Sequence, residues 1–340
     1  MEIQRAALTA AEQSLQIATD LVAGDPTNTH WRRDLSVSYD KIGDVLVVQG
    51  KLDEALKSYR DSLAVVERLA QSDPGNTDWQ RDLSVSYNKI GDVLVAHGQS
   101  QEALKSYRDS LAIRERLAAT DRGNAQWQRD LSVSYENIGN VLLALGNLEE
   151  ALKAYRDGLA IREQLAAADR NNTRRQRDLY VSYIKVGDVL VAQGKLEEAL
   201  KAYRESLAIA ERLAAADRSS AQWPHDLSVS YNKIGDVLAA QGELDEALKS
   251  YRDCFAIAER LAAADSSNAQ WQHDLAVSHS KLAQIYERQG RIADALQELI
   301  LGRDIITALV AIAPGNMQRK SDLYFFEQQI ARLQGRARAQ

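Results

Sequence analysis

Apolar residues in this chain recur three and four positions apart, and the whole pattern then repeats every 48 residues. In WRRDLSVSYDKIGDVLVVQ, residues 31–49, Leu35, Tyr39, Ile42 and Leu46 fall on one helical face, because a turn of 3.6 residues brings such positions together. In LDEALKSYRDSLAVVERLAQ, residues 52–71, Leu56, Tyr59, Leu63, Val66 and Ala70 do the same. Asn28, Asn76, Asn124, Asn172, Ser220, Asn268 and Asn316 sit in one register just before each first helix. Each can accept a hydrogen bond from an orphan N–H of the first turn and is the predicted N-cap. Gly50, Gly98, Gly146, Gly194, Gly242 and Gly290 follow each first helix, where glycine reaches the left-handed conformation that ends a helix. So short a turn makes the two helices antiparallel. Segments such as Asp73-Pro74-Gly75-Asn76 then break the chain before the next pair.

Trp31, Trp79, Trp127, Trp223 and Trp271 keep the same 48-residue register, with Arg175 in the remaining slot. Residues 31–78 and 79–126 are identical at 34 of 48 positions, and self-similarity of this kind decides fold class ahead of any local signal. The expectation is an all-α, right-handed α-solenoid of antiparallel hairpins spanning 1–340. Its units would be 31–78, 79–126, 127–174, 175–222, 223–270 and 271–318. A half-repeat helix at 1–30 and a capping helix with a polar GRARAQ tail at 319–340 would flank them. Gly43, Gly91, Gly139, Gly187 and Gly235 interrupt the first helices at a cost of about 1 kcal/mol each relative to alanine. They are expected to let the paired helix approach, with Ala55 and its counterparts filling the matching side. Residues 7–30 align with a second helix that has no first helix before it. The expectation is a C-terminal part of a longer protein, the alternative a short protein that starts with a half-repeat.

Composition narrows the function. Four prolines and three phenylalanines in 340 residues leave a helix-forming mixture. The 42 basic and 48 acidic side chains are interspersed, for a net charge of −6. No run of one sign forms a nucleic-acid footprint. No segment approaches the roughly 20 apolar residues that cross a bilayer, and the N-terminus lacks the apolar stretch of a signal peptide. A cytoplasmic location is expected. Cys254 is the single cysteine, which points to a reducing compartment and to a buried structural thiol. His30, His97, His225, His273 and His279 show no metal spacing; His225 and His273 stand where other copies carry the arginine of RDLSVS. Without a phosphate loop, a zinc motif or a Cys-x-x-Cys pair, no enzyme activity, cofactor or metal is expected.

The spacing Tyr39-x-x-Ile42-Gly43-x-x-Leu46, followed by Ala55-x-x-x-Tyr59, resembles the tetratricopeptide signature. Tyr stands for the signature Trp, and Glu67 stands where the helix-ending Pro would be. The second helix therefore runs on, and the unit is 14 residues longer than the usual 34. This long unit is similar to the kinesin light chain class and to arrays in bacterial signalling proteins, beside nucleotide-binding, caspase-like or other effector domains. The resemblance implies that a second stripe of the first helix lines a concave groove for extended peptides. Its positions are Asp40, Lys41 and Asp44; Asn88, Lys89 and Asp92; Glu136, Asn137 and Asn140; Ile184, Lys185 and Asp188; Asn232, Lys233 and Asp236. An Asn amide donates to and accepts from a peptide backbone, and Lys offers a charge to carboxylates. The same Lys and Asp residues can equally form an exposed ladder, within and between neighbouring helices, worth a few tenths of a kcal/mol per pair. Both readings stay open.

Copies that break the pattern are further candidates, among them the third, where Asn137 and Asn140 replace the Lys–Asp pair. Arg170, Arg174, Arg175 and Arg177 could hold an acidic partner segment, or reflect drift on a solvated edge. The tryptophans are read as packing against the end of the preceding second helix. The function expected is a protein–protein interaction scaffold whose partner is a protein or peptide. The alternatives are a sensor or oligomerisation arm of a larger signalling protein, self-associating through its N-terminal open face, and a passive spacer.

Overall fold

The computed structural model describes residues 2–217, 220 and 222–339, and among them every regular element is an α-helix. The chain divides into two compact units, Met1–Asp169 and Arg170–Gln340. The first holds α1 (Glu2–Gly24), α2 (Thr29–Val48), α3 (Leu52–Ser72), α4 (Thr77–Ala96), α5 (Ser100–Thr120), α6 (Ala125–Ala144) and α7 (Leu148–Ala168). Here α2 pairs with α3, α4 with α5 and α6 with α7, while α1 packs on α2, α3 on α4 and α5 on α6. The second unit holds α8 (Thr173–Ala192), α9 (Leu196–Ala216), α10 (Gln222–Gln241), α11 (Leu244–Ala264), α12 (Ala269–Arg288), α13 (Ile292–Ile312) and α14 (Met317–Ala339). Its pairs are α8/α9, α10/α11 and α12/α13, with α9 on α10, α11 on α12 and α13 on α14. The fold is an all-α helical repeat solenoid.

The helix ends follow the capping pattern. Asn28, Asn124 and Asn268 each accept from two first-turn amides, and Asn76 and Asn172 from one. Ser220 accepts from the Gln222 amide at 3.2 Å and Asn316 from that of Arg319 at 3.1 Å. Gly50 has φ of 74° and Gly242 of 88°, in the left-handed region. Between hairpins the aspartate folds back on the turn, with the amides of Gly75 and Gly123 donating to Asp73 and Asp121 at 3.1 and 2.9 Å. This local closure delivers the chain to the next cap. The C-terminal segment departs from expectation: residues 335–339 continue α14 rather than forming a tail. Arg332 and Arg336 anchor these turns by donating to Glu287 at 2.6 and 2.5 Å. Gln340 lies outside the described residues.

The mid-helix glycines meet a different partner from the one expected. A Cβ on Gly43 would lie 2.4 Å from Tyr59 Cε1, and those on Gly91, Gly139, Gly187 and Gly235 would meet Tyr107, Tyr155, Tyr203 and Tyr251 in the same way. The tyrosine ring, not Ala55, fills the space above the glycine. Ala55 and its counterparts are fully buried at the same helix pair, where a larger side chain has no room. The ring reaches across the hairpin and its hydroxyl donates to the residue after the glycine: Tyr59 to Asp44, Tyr107 to Asp92 and Tyr203 to Asp188, each at 2.6 Å. In the last hairpin the three positions change together, to Ala283, Gln284 and Leu299. Where the glycine acquires a Cβ, the ring and the acid are both replaced.

Candidate partner-binding face

The first helices of successive hairpins form the candidate face. Its carboxylates are held at two points. Asp44, Asp188 and Asp236 each take the tyrosine hydroxyl of their own hairpin and, on the same oxygen, the lysine of the next. Lys233 reaches Asp188 at 2.7 Å and Lys281 reaches Asp236 at 2.6 Å, and Lys89 bonds Asp44 likewise. Lys89 and Lys281 also lie over the rings of Tyr59 and Tyr251, 5.1 and 5.9 Å from their centroids, where the π-face attracts a cation. The lysine seat is therefore an acid and an aromatic face, supplied together by the preceding hairpin. Sequence spacing alone puts Lys and Asp three residues apart on one helix; the structure joins them across 45 residues.

Between these first helices lie equivalent cavities. One, of ≈ 390 Å³, is lined by Asp44, Val47, Tyr59, Lys89, Asp92, Val93 and Ala96. Its counterpart in the second unit, of ≈ 230 Å³, is lined by Asp188, Val191, Leu196, Tyr203, Lys233, Asp236, Val237 and Ala240. Val47 and Val191 are exposed large apolar side chains on these walls, and Val95 repeats them in register.

Deeper on the same helices, the position of Asp40 differs in every neighbouring copy. Asp40, Ile184 and Asn232 are half-buried; Asn88 is buried. Burial pushes the Asp40 carboxyl above the usual carboxylate range, partly offset by the Ser62 hydroxyl and the Lys89 charge. A carboxyl with a raised folded pKa favours its neutral form, so its contribution is best at low pH and is lost as the group ionises. Asp40→Asn is therefore expected to raise the melting temperature at neutral pH. The difference from wild type should close as the pH falls towards about 4, the unfolded value. A melting series from pH 4 to 7 checks this.

Two buried arginines face that position. Asn88 donates to Ser110 Oγ at 3.1 Å and accepts from the Arg114 guanidinium at 2.9 and 2.5 Å. Arg114 also donates to Ser84, Ser134 and the Asp130 carbonyl at 3.2, 3.1 and 2.7 Å. Burial pushes its pKa down to about 10, which leaves it charged at neutral pH. In the next hairpin Arg162 donates to Glu136 at 2.5 Å and to Ser132 at 3.2 Å.

Among the remaining candidates, Lys41 is exposed, Asn137, Asn140 and Lys185 are half-buried, and Asn140 accepts from the Tyr155 hydroxyl at 2.7 Å. Arg170 and Arg174 are exposed and Arg175 is half-buried. Arg177 donates to the buried Asp226 at 3.2 Å and belongs to a second ladder that sequence reasoning missed. Arg33 and Arg81 donate to Asp82 and Asp130 at 2.6 and 2.8 Å, and His273 meets Asp322 at 3.1 Å. The recurring Arg-Asp dipeptide in RDLSVS carried that signal. The tryptophans are half-buried at the first-helix starts. Beside them Gln80 and Gln272 donate to the Ala70 and Ala262 carbonyls at the preceding helix ends, at 3.5 and 3.0 Å. Cys254 is buried against Ser278, 3.7 Å away, and burial pushes its thiol up to about 11. Among the described residues no group of three or more His, Cys, Asp or Glu is placed to hold a metal ion, and no helix is long and apolar enough to cross a membrane.

The family profile for the tetratricopeptide repeat matches residues 34–116, 82–164 and 129–212, and further profiles of the same description match 227–267 and 276–299. The chain belongs to the tetratricopeptide repeat family. No curated protein matches its sequence. Among solved structures, the tetratricopeptide array is similar to BtubC (BKLC) from P. vanneervenii, with 18% identity over 77% of this chain and 92% of that one and a TM-score of 0.59. It is also similar to the apo form of RapI, with 11% identity, 96% and 82% coverage and a TM-score of 0.64. A Podosopora anserina protein of nearly identical TPR-like repeats, described as a kinesin light chain, aligns at 18% identity over 66% and 94%, with a TM-score of 0.50. At such identities the likeness is one of fold. Tetratricopeptide arrays serve as protein-interaction scaffolds, and this chain is one of them.

Proposed function

We propose that the chain binds an extended segment of a partner protein along the face built by its first helices. The observation that carries this reading is the recurrence of one cavity, 144 residues apart in the sequence: Val47, Lys89, Asp92 and Ala96 in the first unit answer to Val191, Lys233, Asp236 and Ala240 in the second. Apolar walls beside a charged rim suit alternate side chains of an extended strand whose backbone amides meet polar groups. The exposed Val47 and Val191 add apolar wall to the two cavities. With its one cysteine buried, the scaffold suits a reducing, cytoplasmic setting.

A second reading, self-association through α1, is favoured by the exposure of Ile17 and Leu21 beside a cavity of ≈ 420 Å³ lined by Gln13, Ser14, Val37 and Lys41 among others. The two readings separate in one comparison. Val191→Glu places a charge on the cavity wall without touching α1, and Ile17→Glu does the reverse. Partner capture from lysate of the source cell should fall at least fivefold with Val191→Glu and stay level with Ile17→Glu. Sedimentation showing a dimer that Ile17→Glu dissolves, with capture indifferent to Val191→Glu, would replace the first reading by the second.

A further inference from the structure

Within the first unit one step of the lysine ladder keeps its acid but has no lysine, and its role in partner recognition rests on the first-helix face being the binding surface. In the first unit Lys89 closes on Asp44; in the second, Lys233 closes on Asp188 and Lys281 on Asp236. The next step of the first unit has its acid, Asp92, held by the hydroxyl of Tyr107 at 2.6 Å, while the ring itself is buried. At the position of the lysine it has Asn137. The receiving acid is thus in place, and among the described residues no lysine or arginine closes on it, although the Lys89 and Arg114 charges act on it from nearby. Nearby cations are engaged elsewhere: Lys89 by Asp44, and Arg114 by Asn88, Ser84, Ser134 and the Asp130 carbonyl. Asp92 reaches solvent, although desolvation pushes its carboxyl above the usual carboxylate range, and it forms part of the rim of the ≈ 390 Å³ cavity walled by Val47, Val93 and Ala96.

We infer that Asp92, beside the Tyr107 hydroxyl, receives a lysine or arginine side chain of the partner segment, in the seat that the chain's own lysines occupy at Asp44, Asp188 and Asp236. The cationic head pairs with the carboxylate beside the Tyr107 hydroxyl, and its aliphatic stem rests on neighbouring apolar surface. An aliphatic side chain of the same segment enters the adjoining cavity. The partner chemistry is therefore a basic residue next to an aliphatic one, and it reads one position of a nearly periodic face. This gives a direction and a register to a surface whose copies are otherwise alike.

The test uses the full chain with methyl-labelled valines and two probes, acetyl-Leu-Lys-amide and its neutral counterpart acetyl-Leu-norleucine-amide. The Val47, Val93 and Val95 methyls report binding. Wild type should favour the lysine probe by about three- to fivefold, the range of a partly exposed ion pair. Asn137→Lys, which restores the ladder, should bring the preference within twofold without lowering the melting temperature. Lys281→Asn should open a second lysine-selective site at Asp236. Equal binding of both probes to wild type, or a preference that survives Asn137→Lys, overturns the inference while leaving partner binding on this face intact. If neither probe perturbs these methyls the inference fails too, and the Val191→Glu capture comparison then judges the broader reading by itself.

Discussion

Gly187→Ala is expected to destabilise the chain by about 1–3 kcal/mol, the range for forcing an extra methyl into a packed site, although alanine is the better helix former by about 1 kcal/mol. The new Cβ would stand 2.4 Å from Tyr203 Cε1. Tyr203 is only 1% exposed, so the ring has nowhere to go unless α9 moves away from α8. The last hairpin carries the natural solution, Ala283 with Leu299. The double variant Gly187→Ala/Tyr203→Leu should therefore be more stable than the sum of its single changes predicts, by about 1–2 kcal/mol. Urea unfolding of the four proteins measures this. Because repeat arrays can unfold in parts, the comparison should use one probe placed in the second unit. Strictly additive losses would show that ring and glycine do not constrain each other.

Arg162→Val should cost about 3 kcal/mol, since removing one partner of a buried ion pair leaves the other charge uncompensated. Arg162 has a side chain 6% exposed, and Glu136, at 25%, remains behind it. Valine itself is acceptable in that slot, as Val66 shows in the first hairpin, so the loss belongs to the stranded carboxylate rather than to packing. Accordingly Glu136→Ile/Arg162→Ala, the combination present as Ile184 and Ala210, should return to within about 1 kcal/mol of wild type. Thermal melts of the single and double variants decide it. A double variant as unstable as Arg162→Val would mean that the guanidinium's other bonds, that to Ser132 among them, matter more than its pairing with Glu136.

These two cases also mark where sequence reasoning stops. The caps and the closing glycines are legible because each acts within a few residues of itself. Asn124 needs only its own first turn, and Gly98 only its own φ. The glycine–tyrosine contact is not legible in that way. Gly43 and Tyr59 both stand out, but which side chain covers the glycine depends on how two helices are rotated against each other, and Ala55 is an equally small neighbour in the sequence. Arg114 and Arg162 sit in helices whose polar residues mostly face water, so nothing local separates them from Arg116, which is exposed. Their partners, Asn88 and Glu136, lie 26 residues earlier. The lysine ladder was readable as pairing within and between neighbouring helices, and the closed stacking of hairpins selects the second, bringing the next hairpin's lysine onto the acid. The exchange to Asn137 is legible as a break in the pattern, and the pairing across 45 residues shows what it leaves open.

Direct evidence for the binding face would come from site-specific photocrosslinking in the source cell. A benzophenone side chain is placed at Val47 and Val191, on the first-helix cavities, and at Lys57 and Lys201, exposed on second helices. Adducts of one partner protein from Val47 and Val191, absent from Lys57 and Lys201, are the predicted result. Adducts formed from Lys57 and Lys201 while the two valine positions stay silent would contradict the assignment of the face.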